Sequence, residues 1–138
     1  MASDDRDEAE ILAANEAFYA AFATGDYLAM EGLWAEDLPV SCIHPGWPPV
    51  RGREKVMQTW KGILAKPPRP PISAMEATAT KAGDAWLVTC FEAIGELYLS
   101  ASNLFVREGG LWRLVHHQSG ESAQAPKIMQ NQSSKAIH

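Results

Sequence analysis

Three polar groups interrupt apolar, β-branched runs near the end of this chain: Glu92 after Trp86, Val88 and Cys90, Asn103 before Phe105, and the pair His116-His117 after Val115. A fourth, His44, closes the short apolar run Val40–Ile43 and opens the segment H-P-G-W-P-P. A carboxylate, an amide and one or two imidazoles meeting in an apolar place suit proton abstraction beside a carbonyl: one group takes the proton, and the others hydrogen-bond the developing oxyanion. Glu92, His117 and His44 are the candidate catalytic residues. The plainer alternative is that Glu92 and His117 satisfy each other as a buried ion pair or hydrogen-bonded pair, and that His44 bonds loop backbone. Burial would raise the pKa of Glu92, and a paired imidazolium would hold it down.

Which histidine joins Glu92 depends on strand parity. With an even loop between the second and third long strands, Glu92, Asn103 and Phe105 share a face. A three-residue turn at Glu108-Gly109-Gly110 puts His117 on that face, and a two-residue turn puts His116 there. The three-residue turn is the expectation, because it sets Leu104 and Val106 against Leu114 and Trp112. Adjacent histidines on a strand point to opposite faces and cannot ligate one ion together. Neither H-x-x-x-H spacing nor a cysteine pair at metal-finger spacing occurs, so no metal and no cofactor are expected. There is no nucleophile elbow, phosphate loop or dinucleotide fingerprint, and nothing lowers the thiol pKa of Cys42 or Cys90. Both cysteines read as small core residues.

The elements that hold these groups follow from periodicity. Ile11, Ala14, Phe18, Ala21 and Phe22 give a helix from Asp7 to Thr24, with Glu8, Glu10, Asn15 and Glu16 on its polar side. Gly25 suits a left-handed cap and Asp26 caps a second helix running to about Ala35. A strand covers Val40–His44, and the Pro/Gly loop holds Trp47 rigidly beside it. Arg51 or Arg53 brings a guanidinium to the same place. A third helix, Arg53–Ala65, presents Val56, Trp60, Ile63 and Leu64. After the extended run Lys66–Pro71, everything from Ile72 to Gly120 reads as strands. Phe18, Trp34, Trp47, Arg51, Trp60, Asn103 and Phe105 are the candidate ligand-binding residues, although most of the tryptophans would serve equally as core.

The 138 residues suit one domain, taken as 7–120, with a frayed lead-in at 1–6 and a mobile tail at 121–138. A net charge of −5 with scattered Lys and Arg excludes a nucleic-acid or anionic-membrane surface. No stretch is apolar for the length of a membrane span, and the acidic start is unlike a secretion signal, so the expected compartment is cytoplasmic. Both parities of the strands between 85 and 119 are largely apolar, which calls for cover on both sheet faces: helices on one and a second subunit on the other.

The element order, with F-Y-A-A-F-A-T-G-D-Y, H-P-G-W-P-P-V-R-G-R-E, S-N-L-F-V-R and W-R-L-V-H-H-Q-S, resembles the SnoaL-like branch of the nuclear transport factor 2-like superfamily over residues 8–120. The resemblance implies an α+β fold with three helices in all: a cone-shaped curved antiparallel sheet wrapped around the N-terminal helix. It also implies a pocket at the open end and dimerisation through the outer sheet face. It does not transmit one function, because ketosteroid isomerases, polyketide cyclases, dehydratases, limonene epoxide hydrolase and scaffold domains share the cone. The isomerase pairing of a tyrosine with a protonated carboxylic acid finds no residue-by-residue match. The expected activity is therefore binding of a small hydrophobic or aromatic molecule, with proton-transfer chemistry of isomerase, cyclase or dehydratase type left open. The alternative is a non-catalytic dimeric association domain.

Overall fold

The structure is a computed structural model that describes residues 2–130. Helix α1 spans Ala2–Thr24, α2 Tyr27–Leu33 and α3 Arg53–Ala65. The strands are β1 Ser41–Ile43, β2 Val50–Arg51, β3 Ser73–Ala82, β4 Ala85–Ile94, β5 Leu97–Glu108 and β6 Leu111–Glu121. They form one six-stranded sheet in the order β2-β1-β6-β5-β4-β3, curved and left open around α1. The long strands pair antiparallel, while the short β1 runs parallel to β6. The α+β cone is thus the observed architecture. Within the expected mobile tail, residues 127–130 are helical, and residues 131–138 lie outside the described residues. Among the described residues no helix is long and apolar enough to cross a membrane.

α1 begins five residues before the expected start at Asp7, with Asp4 and Asp5 in its first turn, where carboxylates favour the positive end of the helix dipole. Lys81 of β3 bonds Asp4 at 3.1 Å and ties that turn to the sheet. The helix ends at Gly25, whose φ of 68° is the left-handed cap. A Cβ there would stand 2.8 Å from the Leu64 carbonyl oxygen, so glycine is also required by the close approach of α3. Asp26 accepts from the Ala29 amide at 3.0 Å and starts α2. Arg53, rather than Arg51, is the built-in arginine: its guanidinium donates to the carbonyls of Glu31, Trp34 and Ala35 and satisfies the orphan end of α2.

The core lies between α1, α3 and the inner sheet face, with Ile11, Phe18, Trp34, Trp60, Phe105 and Leu114 fully buried. The β4–β5 register pairs Trp86 with Phe105, Val88 with Asn103 and Glu92 with Leu99, so Glu92, Asn103 and Phe105 do share the inner face. The β5–β6 turn corrects the sequence reading. Glu108 pairs with Leu111, leaving a two-residue turn at Gly109-Gly110, which alone would put His116 opposite Asn103. A bulge resets the parity: Phe105 pairs with Leu114 but Leu104 with His116, so Val115 is the extra residue. His117 therefore sits opposite Asn103 and faces inward. Leu104 and Val106 oppose His116 and Arg113, not Leu114 and Trp112.

Candidate functional site

At one end of the inner face the helices stand away from the sheet and leave a cavity of about 400 Å³. β4 contributes Glu92, β6 contributes His117 and Ser119, and the loop after β1 contributes His44 and Trp47. Phe22, Ile63, Ile72, Ile94 and Leu99 supply apolar wall, and Lys66 stands at the rim. A wider depression of about 590 Å³ lies over Thr89, Phe91, Ser100, Ser102 and Gln118 on the outer sheet face. None of His44, His117 and Glu92 lines it, so the candidate groups belong to the smaller, apolar cavity.

The polar groups of the cavity are held from behind. The Tyr19 hydroxyl donates to Glu92 Oε2 at 2.7 Å, and Asn103 Nδ2 donates to Asn15 Oδ1 at 2.8 Å and to the Tyr19 oxygen at 3.3 Å. Asn103 Oδ1 lies 2.5 Å from His117 Nδ1. His117 Nε2 and Glu92 Oε2 stand 3.8 Å apart. Phe18 backs the His117 ring at 4.9 Å between centroids, and Trp60 packs edge-on against His44 at 4.9 Å. His44 Nε2 bonds Thr59 Oγ1 at 2.9 Å. The half-exposed indole of Trp47 lies 5.1 Å from the His44 ring, at the mouth.

Burial decides the charges here. It pulls His117 down to about 3, with the neighbouring His44 and His116 adding to the effect, and it pulls His44 down to about 4. Both imidazoles are neutral at pH 7. Burial raises the pKa of Glu92 and outweighs the hydrogen bonds from Tyr19 and Ser119 that favour its ionised form. Glu92 and His117 are both pushed toward neutrality, so their 3.8 Å contact is an acid beside a base rather than an ion pair. Cys42 and Cys90 are buried free thiols pushed up to about 12 and about 11, which leaves them unreactive. Among the described residues no three of His, Cys, Asp and Glu group closely enough to hold a metal ion.

Glu92, His117, His44 and Trp47 thus converge as candidates on one cavity. Phe18, Trp60 and Asn103 support its histidines without lining it. Trp34 and Phe105 are buried in the core away from it, and Arg51 is exposed on the edge strand β2. Sequence reasoning passed over Tyr19, Asn15, Thr59, Ser119 and Lys66. Asn15 was assigned to the polar side of α1, yet it is fully buried: Ile11, Asn15, Phe18 and Phe22 follow one helical stripe, and that spacing was the available signal. Ser119 shares the parity of His117. A tyrosine–carboxylic acid pair, for which the sequence offered no match, exists as Tyr19 and Glu92. The tyrosine proton points at the carboxyl rather than into the cavity.

The sequence matches the SnoaL-like domain over residues 11–122. Among solved structures, a proposed dehydratase of the nuclear transport factor 2-like family from Streptomyces avermitilis is 29% identical, with a TM-score of 0.76 over 88% of this chain and 99% of that one. A proposed calcium/calmodulin-dependent protein kinase type II association domain from Thiobacillus denitrificans is also 29% identical, with a TM-score of 0.65 over 80% and 93%. A proposed ketosteroid isomerase from Parabacteroides distasonis, at 15% identity and a TM-score of 0.65 over 82% and 86%, shares the fold. No curated protein matches the sequence significantly.

Proposed function

The chain belongs to the SnoaL-like family of the nuclear transport factor 2-like superfamily, and from the geometry of its cavity we propose that it binds a small hydrophobic or aromatic molecule and moves a proton on it. One observation carries the reading: a buried carboxyl and a buried neutral imidazole stand 3.8 Å apart on the wall of an otherwise apolar cavity. Glu92 gives and takes the proton, because burial raises its proton affinity toward the range where transfer at neutral pH is efficient. His117 holds the polar group of the ligand. His44 and Trp47 close the mouth, and the apolar walls supply most of the affinity. This is isomerase, cyclase or dehydratase chemistry, and the dehydratase description of the Streptomyces protein falls within it. Residues 7–120 are the working cone, in a cytoplasmic protein.

The second reading is an association domain, favoured by the description of the Thiobacillus protein. Leu87, Phe91, Leu104 and Val106 are incompletely buried on the outer sheet face, and a second copy of the chain would cover them. In that reading the cavity is incidental.

Gly62 separates the two. It lines the cavity from α3, and a Cβ added there meets nothing within 4 Å. Gly62→Leu should project into that space from an unobstructed Cβ and raise helix stability by about 0.5–1 kcal/mol. In a thermal-shift screen of small aromatic compounds, a hit at 100 times its dissociation constant stabilises by about 2.7 kcal/mol. The expected result is a set of hits for the native protein, lost in a Gly62→Leu variant that melts higher. Hits that survive the substitution would place the ligand elsewhere, and a screen without hits would favour the association reading.

A further inference from the structure

The neighbours of the two cavity histidines fix where the ring protons are. Thr59 Oγ1 lies 2.6 Å from the Val56 carbonyl oxygen, which can only accept, so the hydroxyl proton is committed there. His44 Nε2 must therefore donate to the hydroxyl oxygen, and Nδ1 of His44 is left with a lone pair. Asn103 does the same for His117. Its two amide hydrogens go to Asn15 Oδ1 and the Tyr19 oxygen, while Tyr19 gives its own proton to Glu92. The amide oxygen, 2.5 Å from His117 Nδ1, accepts an Nδ1–H. His117 Nε2 is then bare. Glu92 Oε2 stands 3.8 Å from it, too far for a hydrogen bond but close enough for one intervening atom to reach both.

We propose that this gap is the seat of a hydroxyl group, so that the cavity takes an apolar alcohol or phenol in preference to the ketone or hydrocarbon of the same shape. A hydroxyl donates its proton to Nε2 and accepts the acid proton of Glu92. A carbonyl oxygen only accepts, and it would set its lone pairs against the bare nitrogen. Ionised Glu92 would turn the seat into two acceptors, of which a hydroxyl satisfies one with its single proton and a carbonyl neither. The oxyanion role that the sequence suggested for the imidazoles is closed to them in these tautomers, because Asn103 and Thr59 already take both ring N–H groups. The inference rests on the cavity being a ligand site and names the class of ligand. A bicyclic skeleton of the size of indane suits a cavity of about 400 Å³.

Two measurements test it. Ring-nitrogen NMR of the ¹⁵N-histidine-labelled protein at neutral pH should find the proton of His117 on Nδ1 and that of His44 on Nε2. Calorimetric titration with 1-indanol, 1-indanone and indane should give the alcohol roughly tenfold or greater preference. Glu92→Gln, whose carboxamide still donates, should keep that preference, and His117→Phe should abolish it. Equal affinity for all three compounds would overturn the hydroxyl seat while leaving the cavity a binding site. Failure of all three to bind would overturn both. A proton on His117 Nε2 would overturn the seat whether or not the variants fold.

Discussion

Acidification from pH 6.5 to 4.5 should destabilise this protein through the two histidines of its cavity. An unfolded histidine takes up a proton near its ordinary value of 6.5, whereas in the fold burial holds His44 neutral down to about 4 and His117 down to about 3. Between those limits the unfolded chain binds more protons than the folded one, so stability is lost as pH falls, by about 1.4 kcal/mol per pH unit for each ring. At pH 4.5 the loss is roughly 2.7 kcal/mol per histidine and about 5 kcal/mol for the pair. That is comparable with the whole stability of a domain, about 5–15 kcal/mol. Glu92 acts with the opposite sign. Its folded pKa lies above the ordinary 4.5, so over the interval above 4.5 the folded chain binds the extra proton and stability is gained on acidification. The assay is urea unfolding followed by tryptophan fluorescence at steps from pH 7.5 to 4.5. His44→Gln should remove about half of the histidine slope, and Glu92→Gln should steepen it. An unfolding free energy that is flat between pH 6.5 and 5, or a Glu92→Gln variant flatter than the native protein, would refute the reasoning.

Tyr19→Phe removes the hydroxyl shared by Glu92 and Asn103 and should lower stability by about 1–3 kcal/mol in calorimetry, with no cost expected only if water replaces it. Glu108, on the β5–β6 hairpin, accepts from the amides of Glu36, Asp37 and Leu38 at 2.8, 2.9 and 3.2 Å. Glu108→Gln should speed hydrogen exchange at those three amides and leave α1 protected; unchanged exchange would mean the loop holds itself. Sedimentation at micromolar concentration should find a dimer, and a clean 15.1 kDa monomer would remove the outer-face interface.

The helices and long strands were legible because each carries its own period. Val56 and Trp60 mark one face of α3, and Trp86, Val88 and Cys90 alternate along β4. Glu92 and Asn103 were placed on one face because the loop between their strands, Gly95-Glu96, is short and even. His117 was placed on the right face by the wrong route, since the turn was taken one residue too long and the bulge at Val115 was not foreseen. A bulge is one residue that fails to pair, and nothing in the type of Val115 announces it. Tyr19 and Asn15 were missed for a different reason. A polar side chain on a helix reads as solvent-facing until the sheet behind it is known to present Asn103 and Glu92. The choice between Arg51 and Arg53 likewise depended on where α2 ends in space, which local pattern does not encode.

The turn and the bulge of β6 behave as two frame shifts that cancel. Counting from the hairpin, the short turn puts the wrong histidine in phase with Asn103, and Val115 advances the count by one and restores it. Because the strand carries imidazoles at consecutive positions, an error in this count does not leave the cavity without a histidine; it exchanges one for the other. Straightening the bulge with Val115 kept would set Val115 against Leu104 and bring His116 opposite Asn103, whereas deleting Val115 would leave His117 facing inward. A strand with paired imidazoles can therefore slip by one in this register while the face toward Asn103 keeps an imidazole, and an alignment that ignores the bulge would pair the wrong histidines.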